Sequence, residues 1–134
     1  HSNDCDMSFS GLKTAVLYAV EKLSNITDQH QADIAASFQE SATEILVKKI
    51  DFALSKNPVK DIVLAGGVAA NKLLRSKMDS LADKKNINLH YPPLRHCTDN
   101  AAMVAYLGSL YSDVSSYNLV SPVRPRWPLH ELKL

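Results

Sequence analysis

The first half of the chain carries apolar residues at the spacing of two amphipathic helices. In residues 11–24 one apolar stripe repeats every three to four positions: Leu12, Ala15, Val16, Ala19, Val20 and Leu23. This spacing predicts a helix there. Asp28, with Gln31 three residues later, predicts an N-cap and its capping-box partner at the start of a second helix. That helix is expected to run to Lys56 and to end at Asn57-Pro58, because the residue before a proline disfavours helical geometry.

The second helix is long and has two distinct faces. Its predicted buried face comprises Ala35, Phe38, Ala42, Ile45, Leu46, Ile50 and Ala53, and its predicted solvent face comprises Glu40, Glu44, Lys48 and Asp51. At ~1.5 Å per residue the helix would be roughly 40 Å long. Such a length suits a helix that spans a large domain.

The second half of the chain alternates between strands and helices. Residues 60–65 form a short apolar run rich in branched side chains, which is typical of a buried parallel strand. A helix is expected after Gly67, and residues 87–91 predict a second strand that ends at Pro92-Pro93. The expected inward positions of the helix are Val68, Leu73, Leu74, Met78 and Leu81, and the expected outward positions are Lys72, Arg75, Lys77 and Lys84.

A last helix is predicted over residues 98–111, which gives the order α-α-β-α-β-α followed by an irregular tail. Two parallel strands do not form an independent sheet, so we expect the missing strands to lie upstream of His1. The predicted fold class is α/β, with helices packed on an incomplete, mainly parallel sheet. Residues 1–134 are expected to form a single partial domain.

Composition narrows the class of protein without identifying it. The chain has 134 residues, of which 46% are hydrophobic, and a net charge of +1. Any contact with nucleic acid would therefore depend on a local basic patch. The absence of long apolar runs and of a signal-like start predicts a soluble protein. The missing initiator methionine suggests a piece of something longer, and Cys5 and Cys97 are expected to be free thiols.

A glycine pair marks the first candidate binding segment, the Leu-Ala-Gly-Gly-Val-Ala-Ala-Asn motif of residues 64–71. Gly66 and Gly67 would let a ligand approach the backbone at the end of a strand, and a helix start would offer N–H groups to an anion. The alternative is a tight strand-to-helix turn without a ligand. Asn71 is expected on the first turn of the helix, where its amide suits a ribose or base edge, or is simply solvated.

An acidic residue marks the second segment, the Cys-Thr-Asp-Asn-Ala-Ala-Met motif of residues 97–103. Thr98 is the expected N-cap, so Asp99 would project from a helix N-terminus, where it either helps to hold a cation or complements the helix dipole. One carboxylate is not a metal site. His96, Cys97 and Asp99 are too close in sequence to converge on one ion, so no self-contained metal site is expected.

Two further features have simple structural explanations. The Ser-Phe-Ser-Gly-Leu-Lys-Thr segment of residues 8–14 leads into the first helix, as a capping segment would, and Ser10 has no nearby histidine to act as a base. Basic side chains could contact a phosphate backbone, although a solvated helix face is the more common explanation for such charges. They are Lys72, Arg75, Lys84, Lys85, Arg124 and Arg126.

Together the segments resemble one known family. The motifs at residues 8–14, 64–71 and 97–103, followed by Arg-Pro-Arg-Trp-Pro-Leu at 124–129, are similar in order and spacing to the C-terminal part of the TsaD family. Its members are the catalytic subunits of tRNA N6-threonylcarbamoyladenosine synthase, formerly termed O-sialoglycoprotein endopeptidases or glycoproteases. The resemblance implies the C-terminal half of a two-domain actin-like ATPase (ribonuclease H-like) fold, without its N-terminal domain.

The resemblance also implies a reaction and a set of site residues. The family transfers a threonylcarbamoyl group from threonylcarbamoyl-AMP to N6 of the adenine next to the tRNA anticodon. Asp99 matches a metal-binding aspartate, Asn71 matches an asparagine that contacts the nucleotide, and Gly66 and Gly67 would line the same pocket. No separate catalytic side chain is assigned. The implied cofactor is one divalent metal ion, iron or zinc, and the implied nucleotide ligand is ATP or threonylcarbamoyl-AMP.

A large part of the family's site is missing from this sequence. The histidine pair that completes the metal site and the glycine-rich segment that binds the rest of the nucleotide do not occur in it. The chain alone is therefore expected to form one side of the cleft and to be inactive or nearly so.

The expected partners of the whole protein are tRNA and, in bacteria, a related non-catalytic paralogue and a small ATPase, with no membrane contact. The expected location is the cytoplasm, or the mitochondrial matrix for an organellar member. Two other functions stay open: a non-catalytic nucleotide-binding or docking module of the actin-like class and, with less support, a metallopeptidase. No HExxH motif supports the peptidase.

Overall fold

The computed structural model describes residues 5–112, together with residues 128 and 131. Four α-helices and two strands occur in these residues. In chain order they are α1 (Ser10–Glu21), α2 (Asp28–Lys56), β1 (Asp61–Val63), α3 (Lys72–Lys85), β2 (Asn88–His90) and α4 (Ala101–Leu110), with 3₁₀ turns at Gly67–Ala70 and Leu94–His96. The predicted α/β class and element order are confirmed. The chain divides into two compact units, residues 1–99 and 100–134, and α4 belongs to the second.

The N-cap of helix α2 lies one residue earlier in the sequence than predicted. Thr27 is the N-cap: its side chain accepts a hydrogen bond from the His30 backbone N–H at 3.2 Å, and His30 Nδ1 accepts one from the Thr27 N–H at 3.4 Å. The assignment of Asp28 and Gln31 to the capping box is therefore wrong, because Asp28 is already helical. The predicted end is confirmed, with Asn57 as the C-cap.

The core of the first unit lies where α2, α3 and the sheet meet. Its buried members are Leu54, Leu74, Met78 and Leu81, and the partly buried residues packed against them are Leu46, Val47, Ile50, Ile62, Leu64, Ile87 and Leu89. Leu74 and Met78 are the largest side chains that are fully buried. Burying each such side chain contributes roughly 1.5–3 kcal/mol relative to leaving it exposed.

Only the C-terminal half of α2 contributes to that core. Burial begins near Thr43, whose hydroxyl donates to the Gln39 carbonyl at 2.9 Å. The predicted buried face is wrong over the first turns of the helix, because Ala35 is exposed and Phe38 is 44% exposed. The physical reason is that α3 and the sheet pack further along the helix, on a face that includes Leu54.

The two strands are parallel, as predicted, and pair with Asp61 opposite Asn88 and Val63 opposite His90. Helix α3 makes the connection between them, and its C-cap Asn86 takes the left-handed conformation at φ 54°. An asparagine tolerates this conformation better than most residues with a Cβ. Val68, predicted to face inward, is 64% exposed because residues 67–70 form a 3₁₀ turn before α3 starts.

No helix in the described part of the chain combines the length and the apolar character needed to span a membrane.

Asp61 accepts hydrogen bonds from two side chains of the neighbouring strand. His90 Nε2 and Asn88 Nδ2 each lie 3.0 Å from its Oδ1 atom. These contacts, His90 first, lower the pKa of Asp61 below its ordinary value of 3.8, because they favour the charged carboxylate. The stability that they add is therefore fully present above pH 3.8 and is lost as the pH falls through the lower pKa of the folded state.

We expect the Asp61→Asn variant of the full-length protein to lose less stability on acidification than the wild type. The check is the midpoint of thermal unfolding, measured at several pH values from neutral to strongly acidic. Asp83→Asn, which changes an exposed carboxyl group on α3, is the control. Equal acid sensitivity in the wild type and the Asp61 variant would contradict the prediction. The effect is small, because both members of the Asp61–His90 pair are solvent-exposed.

Candidate functional site

The chain turns sharply at Gly66 after leaving β1. Gly66 has φ 88° and ψ 173°, a combination that is essentially restricted to glycine. Gly67 has no positive φ, and a Cβ atom added to either glycine would meet nothing within 4 Å. The backbone thus requires glycine at 66, whereas at 67 neither the backbone nor the packing does. The predicted helix start at Gly67 is wrong, since the residues that follow it form a 3₁₀ turn.

The two glycines are expected to respond differently to alanine. Gly66→Ala should destabilise the protein by about 1–3 kcal/mol, the usual cost of a residue with a Cβ in this backbone region, whereas Gly67→Ala should leave stability nearly unchanged. The check is the unfolding midpoint of both variants of the full-length protein. A loss of ATP binding in Gly67→Ala without a loss of stability would indicate that a ligand approaches the backbone there. Equal stability of the two variants would contradict the assignment of strain to Gly66.

Asn71 is the N-cap of α3 and not a residue of its first turn. Its Oδ1 accepts a hydrogen bond from the Leu74 N–H at 3.0 Å, and its Nδ2 donates to Gln39 Oε1 on α2, also at 3.0 Å. The amide is therefore fixed in orientation by two elements. An asparagine side chain has two N–H donors and two acceptor lone pairs, so one of each stays available for a ligand.

A mainly apolar cavity of about 690 Å³ lies beside Asn71. The motifs at residues 8–14 and 64–71 meet there, because Phe9 lines the cavity together with Ala65, Val68 and Ala69. Much of the remaining wall comes from α2. The volume of the cavity is in the range of sites that bind small molecules. The motif at residues 8–14 otherwise opens α1, whose N-cap Phe9 makes no side-chain capping bond.

Asp99 lies just ahead of the last described helix and is exposed. The N-cap of α4 is Asn100, whose Oδ1 accepts from the Met103 N–H at 3.1 Å, so the assignment of Thr98 as the N-cap is wrong. None of the hydrogen bonds and ion pairs between described residues involves the exposed side chain of Asp99. One open carboxylate fits a metal ion as a single ligand, and within residues 5–112 no group of three His, Cys, Asp or Glu side chains could complete the coordination.

The sequence reasoning missed Arg75, which it placed on the exposed face of α3. The side chain is half-buried: its Nε donates to the Ala69 carbonyl at 2.6 Å, and its Nη2 lies 3.0 Å from the Pro92 carbonyl and 3.2 Å from Cys97 Sγ. One signal was present in the sequence. Arg75 is the single arginine of α3, in which all other basic residues are lysines, and arginine is preferred where several acceptors must be bridged.

The other basic residues give a mixed picture. Lys85 forms an ion pair with Asp51 at 2.6 Å, whereas Lys72 and Lys84 are exposed. Arg124 and Arg126 lie outside the described residues, as does the rest of the motif at 124–129 apart from Pro128. Cys97 is buried and Cys5 is exposed, and both are free thiols, as predicted.

Comparison with known proteins identifies the family. A sequence profile for TsaD, described as tRNA N6-adenosine threonylcarbamoyltransferase, matches residues 1–106. Similar proteins of that name occur in Paraburkholderia xenovorans (46% identical, over 98% of this chain and 40% of the relative) and in Polaromonas naphthalenivorans (43%, over 99% and 39%). Another, in Herminiimonas arsenicoxydans, is 41% identical over 99% of this chain and 40% of the relative. The chain thus spans about two-fifths of the length of these relatives, and it belongs to the TsaD family.

Proposed function

We propose that this chain supplies one side of the substrate cleft of a tRNA N6-adenosine threonylcarbamoyltransferase, and that the fold is the C-terminal half of an actin-like ATPase. One observation carries the proposal: in a chain of this family, Asn71 and the turn that follows Gly66 border the same cavity. The parallel β1–α3–β2 unit agrees with this fold, since open α/β sheets bind ligands beyond the carboxyl ends of their strands. The Gly66 turn follows that end of β1.

The proposed reaction joins an adenine amine to a carbamoyl carbon. The exocyclic N6 of the tRNA adenine attacks the carbonyl carbon of threonylcarbamoyl-AMP, a C–N bond forms, and the bond to the phosphate oxygen breaks. AMP leaves as an anion, and the attacking amine loses a proton. Holding the two reactants in line is the main task of such a site, because pre-orientation removes much of the entropic cost of a two-substrate reaction.

Each proposed site residue has a role that its geometry supports. Gly67 lets the nucleotide approach the main chain, since nothing occupies the space of a Cβ atom there. Asn71 offers its remaining N–H and lone pair to the ribose or the base while it keeps the α3 cap. Asp99 is proposed as one ligand of a divalent ion, iron or zinc, which when bound would supply Lewis-acid polarisation of a substrate oxygen.

The wider setting is part of the same proposal. The substrates are tRNA and threonylcarbamoyl-AMP, and in a bacterial member the partners are a related non-catalytic paralogue and a small ATPase. The location is the cytoplasm, or the mitochondrial matrix in an organellar member. Residues outside this chain would supply the remaining metal ligands and the other side of the cleft, in line with the two-fifths of the relatives' length that the chain spans.

The test is a reconstituted assay with the full-length protein, tRNA and threonylcarbamoyl-AMP, read by mass spectrometry of the tRNA nucleosides. Formation of threonylcarbamoyladenosine supports the proposal. Binding of ATP without transfer would instead favour a non-catalytic nucleotide-binding or docking module, for which the mainly apolar wall of the cavity is the supporting observation. Cleavage of a glycoprotein substrate without transfer would favour a metallopeptidase.

A further inference from the structure

We propose that Arg75 is a positioning residue that holds the Gly66–Asn71 segment and the 92–99 segment in one fixed arrangement. The inference rests on the proposed function, because its importance comes from the site residues that the two segments carry. The first segment contains the glycine turn and Asn71. The second, which leads from β2 into α4, contains Asp99.

The contacts of the guanidinium group link both segments to α3. Nε donates to the carbonyl of Ala69 within the 3₁₀ turn, and Nη2 donates towards the Pro92 carbonyl and Cys97 Sγ. Ala69 is 1% exposed and Cys97 is 3% exposed, so these contacts are shielded from water. Hydrogen bonds from a charged donor are stronger than those between neutral groups, so the guanidinium ties the two irregular segments to each other.

A ring contact fixes the guanidinium from another direction. Its central carbon lies 4.2 Å from the centre of the Tyr91 ring, in the range of a cation–π contact. The Tyr91 hydroxyl donates in turn to Asp79 Oδ1 on α3 at 3.1 Å. Tyr91, the residue after β2, therefore contacts α3 through its ring face and through its hydroxyl. These contacts restrict rotation of the Arg75 guanidinium.

The position of these contacts indicates a role beyond stability. Cys97 precedes Asp99 by two residues, and Ala69 lies between Gly67 and Asn71. If the fork is lost, the two segments can shift independently, and the groups that they carry move relative to each other. A misplacement of about 1 Å in a site that works by orientation costs up to roughly 100-fold in rate.

The test compares Arg75→Met and Arg75→Lys in the full-length protein, with Lys48→Met as the control. Lys48 is an exposed basic residue on α2 whose ion pair with Glu44 is solvated. Four quantities are measured: the unfolding temperature, amide hydrogen exchange of residues 66–71 and 92–99, kcat/KM for transfer to tRNA, and the dissociation constant of ATP. The lysine variant keeps the charge but lacks the planar fork.

In Arg75→Met we expect the amide hydrogens of both segments to exchange faster than in the wild type, and kcat/KM to fall by about 10- to 100-fold. Arg75→Lys should restore the unfolding temperature but not kcat/KM, which a purely structural role would not produce. The Lys48→Met control should match the wild type in all four quantities. Faster exchange with unchanged kcat/KM, or unchanged exchange in both segments, would overturn the inference.

If the wild type catalyses no transfer, the proposed function fails, and the dissociation constant of ATP decides the role of Arg75. A weaker affinity in Arg75→Met than in Lys48→Met would then support the positioning of a nucleotide site. An unchanged affinity, or no binding of ATP by the wild type, would overturn the inference.

Discussion

Replacing Asp99 by alanine is expected to lower the rate of tRNA modification by roughly 100-fold or more, while the protein stays folded. The structural reason is that Asp99 is exposed and makes no hydrogen bond or ion pair with other described residues, so its removal disturbs no packing. The chemical reason rests on the proposed role of Asp99 as a metal ligand. A bound metal ion contributes several kcal/mol to the stabilisation of charge in the transition state, and each 1.36 kcal/mol or so corresponds to about tenfold in rate.

Two measurements check this prediction. One is the amount of threonylcarbamoyladenosine in tRNA from cells that carry the variant, and the other is the metal content of the purified full-length protein. Asp83→Ala, which removes an exposed carboxylate from α3, is the matched control and should retain both. Normal metal content in Asp99→Ala would contradict its role as a ligand. Normal modification, in cells without a second synthase, would contradict its role in the reaction.

Met78→Ala is expected to produce the largest loss of stability among the substitutions considered. Met78 is 0% exposed and lies in the cluster that joins α3 to α2. Removing a buried side chain of this size costs about 2–5 kcal/mol, since the cavity that is left is only partly filled by relaxation. The measurement is native-state hydrogen exchange of the α3 amides in the full-length protein, which reports the free energy of local opening.

The Met78→Leu variant distinguishes the effect of lost side-chain volume from the effect of a changed side-chain shape. A swap that conserves volume usually costs less than about 1.5 kcal/mol, so this variant should stay close to the wild type. A similar loss in both variants would show that the shape of the methionine side chain matters more than its volume. A negligible loss in Met78→Ala would contradict the assignment of Met78 to the core.

The sequence was most informative where one local rule decides the structure. The stop of α2 at Asn57 followed from the proline after it, and the parallel pairing of β1 with β2 followed from two apolar runs separated by a helix. Helix starts were less predictable because several residues compete to cap them. Thr27 and Asn100 act as N-caps, although their neighbours Asp28 and Thr98 fit the same rule.

The missed parts of the candidate site depend on contacts that no local pattern encodes. The contact of Asn71 with Gln39 joins two helices, and that of Arg75 with Cys97 joins a helix to a loop. The helical spacing predicted that Arg75 is exposed to solvent, because Arg75 falls on the same face of α3 as the lysines predicted to point outward. The contact arises only because the chain returns from β2 alongside α3. The assignment of Asp99 to a metal stays a prediction, since it depends on ligands beyond this chain.

The parallel pairing of β1 with β2 affects the order in which the contacts of Arg75 can form during synthesis. Neighbouring parallel strands need a long crossover connection, here helix α3, so β2 is synthesised only after β1 and α3. During synthesis the contact between Arg75 and Ala69 can form early, because both residues emerge from the ribosome almost together. Its contacts with Pro92 and Cys97 must wait until the second strand has left the exit tunnel. Arg75 is therefore made before Pro92 and Cys97, and its fork can close only after both have been synthesised.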